Sequence, residues 1–265
     1  MKRLTCLVLA CLLALSLAAC GAPETETLDI FAMDTYMSLV AIGDGGAEVL
    51  QSCAARINAL EQKLSRTIET SDVSRLNADG SALLDADTAA LLDAALQYSA
   101  ETNGAFDVTI APLVALWGIT TDSPRVPSQE EIDALLPLVG SEHVRLSGAT
   151  ATLDEGCAID LGGIGKGYAS DETAELFSES GISGGFVSLG GNVYVHGVTA
   201  EGKPWNVAIQ DPRNTENYAC TLRLTDAFVV TSGGYQRNFT APDGTVYQHI
   251  IDPATGYPVD NGLLS

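Results

Sequence analysis

AIDLGGIGKGYASDETAELF, residues 158–177, decides how the fold is read. Four glycines, Gly162, Gly163, Gly165 and Gly167, surround the single Lys166, and Asp160 stands just before them. The pattern predicts a strand ending near Leu161 and a helix running from about Gly163 to Ser178. The glycines then fall where the chain turns and backbone N–H groups point outward. Such a helix start holds a phosphate, and Lys166 adds a full charge to the partial charge of the helix dipole. The same glycines also serve a tight turn and a close helix–sheet contact. Asp160 repels a phosphate directly, so its three roles are a divalent-cation ligand, a partner for a neutral ring edge, or a helix cap. The spacing G-G-x-G-K-G is neither a Walker loop nor a dinucleotide-binding fingerprint.

Outward from this stretch the chain divides. On its C-terminal side lie short branched or alternating segments: GFVSLGG, VYVHG, WNVAIQ, CTLRLT, AFVVTSG and VYQHII, with VRLSG and ATLDE just before the helix. On its N-terminal side, residues 28–42 read as two strands around Met33-Asp34-Thr35-Tyr36. Val49, Leu50, Cys53, Ile57, Leu60 and Leu64 then recur at helical spacing over 46–64. Residues 71–77 read as a turn or cap, and 87–100 as a helix closed by Asn103-Gly104. Ser128 and Glu131 have capping-box spacing for a helix to about Leu138. The fold class is α+β, with mixed or antiparallel sheets, packed helices and two intimately associated lobes around a cleft.

Residues 1–19 have basic residues before an apolar run and small residues at the end, the form of a secretory signal. LAAC followed by Gly21 resembles a lipoprotein lipobox. Cys20 is therefore expected to carry lipid, residues 20–27 to be a tether, and 28–265 to be the working domain. Lipid would anchor it to the outer face of the bacterial cytoplasmic membrane, on the cell-surface or periplasmic side. Removing Lys2 and Arg3 leaves 11 basic against 34 acidic residues, a net charge of −23. That balance excludes nucleic acid as a partner and gives an anionic ligand reason to seek a local cation. Cys53, Cys157 and Cys220 remain, as buried thiols or an unspecified disulfide, and their spacing forms no zinc site.

Three further features carry chemistry. SLGGN (188–192) and TSGGYQRNF (231–239) place glycine pairs at strand ends, where a single cleft would gather them with the first loop. GAFDVTIAPLVALWGI (104–119) sets Asp107 in an apolar run, where a carboxylate needs donors or a ligand. YQHIIDPATGYPVDNG (247–262) holds His249, which is either a proton carrier near neutral pH or an ordinary surface histidine. No GxSxG elbow supports serine-hydrolase chemistry.

Together MDTYM (33–37), SRLN (74–77), GAFDVTIAPLVALWG (104–118), DLGGIGKGYASD (160–171), SLGGN, TSGGYQRNF and HIIDPATGYPVDNG (249–262) resemble, in order, the bacterial FAD:protein FMN transferases. The resemblance implies transfer of FMN from FAD to a threonine or serine of an extracytoplasmic acceptor protein, with AMP released and a divalent ion, usually Mg²⁺, required. It implies that FAD fills the cleft, with Met33 near the flavin and Ala105, Phe106, Asp107, Asp160 and Lys166 lining its site. Gly163 would give its carbonyl to the metal, and His249 would help deprotonate the acceptor hydroxyl. Family members continue past the position of Ser265 into an aspartate and a threonine that complete the metal site, so the sequence is expected to lack a C-terminal portion. The alternative is a surface lipoprotein that binds FAD or another solute without catalysis.

Overall fold

A computed structural model describes residues 23–265, so the expected signal peptide and lipidated Cys20 lie outside the described residues. The alternation around residue 33 forms β1 (Thr25–Ala32) and β2 (Thr35–Ile42), an antiparallel hairpin. Its register pairs Thr25 with Ile42, which draws Thr25, Glu26 and Thr27 out of the expected tether and into the ladder. Polarity misled there, because the outer face of an edge strand is polar by nature.

β2 also pairs with β6 (Gly184–Leu189), β6 with β7 (Asn192–Gly197), and β7 with β10 (Ala227–Val230), giving a five-stranded sheet of order β1-β2-β6-β7-β10. β3 (Ser81–Leu83), β5 (Thr150–Leu153) and β4 (Val144–Ser147) form a second sheet. β8 (Trp205–Gln210) pairs with β9 (Tyr218–Leu224), and β11 (Asn238–Thr240) with β12 (Val246–Gln248). Every strand pair in these sheets is antiparallel, so the α+β reading holds with antiparallel rather than mixed sheets.

Helix α1 (Gly46–Leu64) places its predicted stripe inward, with Cys53, Ile57 and Leu60 fully buried. Residues 71–77, read as a turn, instead contribute to α2 (Asp72–Asp79), whose N-cap Ser71 accepts from the Ser74 N–H. α3 (Ala86–Glu101), α4 (Ala111–Trp117) and α5 (Gln129–Leu135) follow, and the Ser128/Glu131 capping box is present. α6 (Gly162–Ser180) is the helix expected after the glycine loop, but the chain before it, from Asp154 to Leu161, is irregular rather than a strand.

The burial pattern forms two apolar clusters. The larger joins α1, α6 and the inner face of the five-stranded sheet through Met37, Leu39, Val187, Leu189 and Phe177. The smaller joins Leu113 and Trp117 of α4, Ile132 of α5 and Ile251 beyond β12. Trp117 packs 5.0 Å from the Tyr247 ring and donates its indole N–H to the Gly256 carbonyl at 2.8 Å. Among the described residues no helix is long and apolar enough to cross a membrane. Cys53, Cys157 and Cys220 are free thiols; burial pushes Cys53 up to about 12, whereas Cys220 is exposed on β9.

Candidate active site

The start of α6 is held from behind. Asn77 clamps Ile159, donating to its carbonyl at 2.9 Å and accepting its N–H at 2.8 Å, and the Asp160 N–H donates to Val108 at 2.8 Å. The Asp160 carboxylate accepts the Gly162 N–H at 2.8 Å and pairs with Arg66 at 3.0 Å. Asp160 thus braces the first residue of α6 and holds an arginine beside the helix start. An ideal Cβ on Gly163 would lie 3.2 Å from the Phe106 ring, so the glycine lets that ring close over the helix start.

One turn into α6 stands Lys166, half-buried. Burial and then the charge of Arg237 lower its pKa, while Asp160 and Asp34 pull the other way. Groups as far apart in sequence as residues 34 and 237 thus act on one lysine, and these two pair directly at 2.9 Å. With Arg66, three of the 13 lysines and arginines act here in a strongly acidic chain.

The β1–β2 turn closes the opposite side. Met33 and Asp34 both have positive φ, 49° and 57°, the two-residue reversal that suits a twisted hairpin. The Met33 N–H donates to Glu61 at 2.7 Å, fixing the turn to α1. Gly190 of the SLGGN corner, at φ 60°, abuts Thr35, and any Cβ there would run into the threonine side chain. Thr231 joins this corner through Gly191 at 3.4 Å, and Arg237 at the end of the same segment pairs with Asp34 at 2.9 Å. Gly190 of the second corner and Arg237 of the third segment thus both reach the hairpin turn.

His249 follows β12. Its ring Nδ1 lies 3.2 Å from the Arg237 carbonyl. A carbonyl only accepts, so Nδ1 carries the hydrogen and Nε2 is the basic nitrogen. Burial, first, then the charges of Arg237 and Lys166 hold its pKa below the ordinary histidine value, against the Arg237 carbonyl, which favours the imidazolium. The ring is accordingly neutral at physiological pH and able to take a proton.

The loop from 105 to 107 approaches through Phe106. Ala105 is exposed, while Asp107 is buried, with its carboxylate bound by the Thr109 N–H at 2.8 Å, the Thr109 hydroxyl at 2.6 Å and the Ser99 hydroxyl at 3.1 Å. The donors that a buried carboxylate requires are thus intramolecular. Among the described residues no group of three or more His, Cys, Asp or Glu side chains is placed to hold a metal ion. A concavity of about 520 Å³ between Asn77–Ser81 and Leu153–Ala158 contains none of the charged groups described above and is lined by Asp79, Asp154 and Glu155, which suit no anion.

Arg66, Arg237, Asp34 and Asn77 carry this arrangement and were not singled out by sequence. The scarcity of cations was the available signal for the arginines, and the motifs SRLN and TSGGYQRNF contained Asn77 and Arg237 without revealing their partners.

A sequence model of the ApbE family matches residues 33–265. The FAD:protein FMN transferase of Escherichia coli is 34% identical over 230 residues, covering 83% of this chain and 65% of that protein. The one from Salmonella typhimurium is 31% identical over 286 aligned positions, covering 100% of this chain and 82% of its own. Among solved structures, an ApbE protein of Thermotoga maritima superposes with TM-score 0.83 at 33% identity, covering 89% of this chain and 78% of that one. The apo flavinyl transferase ApbE of Pseudomonas stutzeri gives 0.80 at 30% identity, with 91% and 78% covered. The chain thus spans about two thirds of the first relative's length.

Proposed function

The chain belongs to the ApbE family, and from that membership we propose that it transfers FMN from FAD to a threonine or serine hydroxyl of an extracytoplasmic acceptor protein. The observation that carries this reading is that Lys166 and the Asp160–Arg66 pair stand at one glycine-rich helix start, with the Lys166 charge acting on the His249 ring.

Lys166 and the first turn of α6 face the pyrophosphate, where a half-buried cation offsets more charge than it would in water. Phe106, Ala105 and Met33 offer surface to the flavin, and Asp107 holds the Phe106 loop in place through its own internal bonds. His249 Nε2 takes the proton of the acceptor hydroxyl as its oxygen bonds to the phosphorus of the FMN half. The bond from that phosphorus to the bridging oxygen breaks, and AMP leaves with that oxygen. A positioned base of this kind contributes on the order of 10²–10⁴ in rate.

The Mg²⁺ ion that the resemblance implies does not fit the described residues by themselves. Gly163 offers one backbone carbonyl, and the Asp160 carboxylate is engaged by Arg66 and Gly162. The charge work attributable to the described residues therefore falls to Lys166 and the helix start. Lipid at Cys20 would hold the domain on the outer membrane face, where acceptor proteins are met.

The test mixes the purified protein with FAD, Mg²⁺ and an acceptor domain bearing an exposed threonine motif, then follows AMP and acceptor mass. AMP release with a gain of one FMN supports the reading. FAD binding without either product overturns it in favour of a non-catalytic flavin-binding lipoprotein.

A further inference from the structure

Arg237 is engaged at both ends. Its guanidinium donates to the Asp34 carboxylate at 2.9 Å and to the Asp34 carbonyl at 2.7 Å, reaching back 203 positions to the β1–β2 turn. Its own carbonyl accepts the His249 backbone N–H at 3.1 Å and faces Nδ1 of the same residue at 3.2 Å. The segment before it, from Thr231 through Gly233 and Gly234, is irregular, so sheet pairing does not fix that carbonyl from the N-terminal side.

We infer that Arg237 is a positioning residue: anchored on Asp34, it holds its main-chain carbonyl against the His249 ring and so fixes the tautomer that leaves Nε2 free for the acceptor hydroxyl. The catalytic meaning of this latch rests on the transfer reaction proposed above, whereas the tautomer is a property of the protein alone. Stability does not explain the pair. Asp34 is 74% and Arg237 39% exposed, and ion pairs so open to solvent contribute about 0–1 kcal/mol. What the pair supplies is geometry. It ties the turn carrying Met33 to the strand end carrying the base, and a base displaced by about 1 Å loses on the order of 10²-fold in rate.

The charged groups acting on the ring are Arg237 and Lys166, and Lys166 in turn faces Asp160 and Asp34. Replacing Arg237 removes a charge that lowers the His249 pKa and, with the anchor lost, the carbonyl bond that raises it, so the tautomer rather than the pKa reads out the latch.

The experiment is ¹⁵N NMR of the His249 ring in the full chain without FAD, on wild type, Arg237→Ala and Asp34→Gly. Glycine at 34 keeps the positive φ of the turn and guards against misfolding. Wild type should show one tautomer with its hydrogen on Nδ1, and both variants a mixture. Transfer should fall ~10-fold or more in kcat in both, with the FAD KM changed by less than about threefold in Asp34→Gly. The swapped pair Asp34→Arg with Arg237→Asp should recover the Nδ1–H tautomer. An unchanged tautomer in both single variants overturns the inference, as does an Arg237→Ala protein that loses FAD affinity while its tautomer stays put. If wild type shows the Nδ1–H tautomer but transfers no FMN, the proposed reaction fails while the latch stands.

Discussion

Replacing Asn77 by alanine tests whether the glycine-lysine helix start is held from the buried side. The Asn77 amide makes two hydrogen bonds to one residue, Ile159, at 2.9 and 2.8 Å, and Ile159 is fully buried. Asn77→Ala leaves both the N–H and the C=O of Ile159 without partners, and an orphaned buried polar group costs about 1–3 kcal/mol. Asn77 lies in α2, where alanine recovers roughly 0.5 kcal/mol of helix propensity. The net loss is about 1.5–5.5 kcal/mol, which for a chain of this size lowers Tm by roughly 3–20 °C. Urea denaturation of wild type and variant measures it directly, with the midpoint shifting at unchanged slope. Because Asp160 is the next residue, the variant should also weaken FAD binding. A stability change within 0.5 kcal/mol would refute the reasoning, since it would mean that Ile159 is not held by this side chain.

Three other outcomes follow from the same geometry. His249→Gln should lower transfer by on the order of 10²-fold or more while leaving FAD binding within a few-fold, measured by AMP release and equilibrium titration. The acid limb of kcat/KM should lie below the ordinary histidine value of 6.5, with activity rising with pH through that limb and level at neutrality, because burial and two cations favour the neutral ring. Trp117→Phe removes the indole bond to the Gly256 carbonyl inside the smaller cluster and should cost about 1–3 kcal/mol in denaturant unfolding.

Sequence patterns reached furthest where a local rule and a burial pattern coincide. The stripe from Val49 to Leu64 gave α1 its observed limits, and Ser128 with Glu131 gave α5 its start, since a helix face and a capping box are both written within a few residues. α2 escaped because Val73 and Leu76 are its only buried apolar residues, too few to show a period, while Asp72 is buried by virtue of bonds to Arg75 and the Asp85 N–H. β3 and β11, three residues each, are shorter than any alternation that could announce them. At the site, Lys166 and His249 stood out by residue type. The Asp34–Arg237 pair did not, because a contact between residues 203 positions apart is a property of topology rather than of spacing.

That topology also explains why the pair matters more than its energy. Lys166 stands on α6, whose inner face packs into the larger apolar cluster, whereas His249 is carried between β12 and Ile251, at the edge of the smaller one. Each cluster fixes its own group well, but neither fixes the distance between them, and a proton transfer coupled to attack at phosphorus depends on that distance. The β1–β2 turn belongs to the larger cluster through Met33 and its bond to Glu61. The chain at Arg237 and β11 belongs to the smaller through Phe239 and Tyr247. Asp34 and Arg237 join the two where the cation and the base must be in register, so a weak surface bond there bears on geometry that packing within either cluster leaves open.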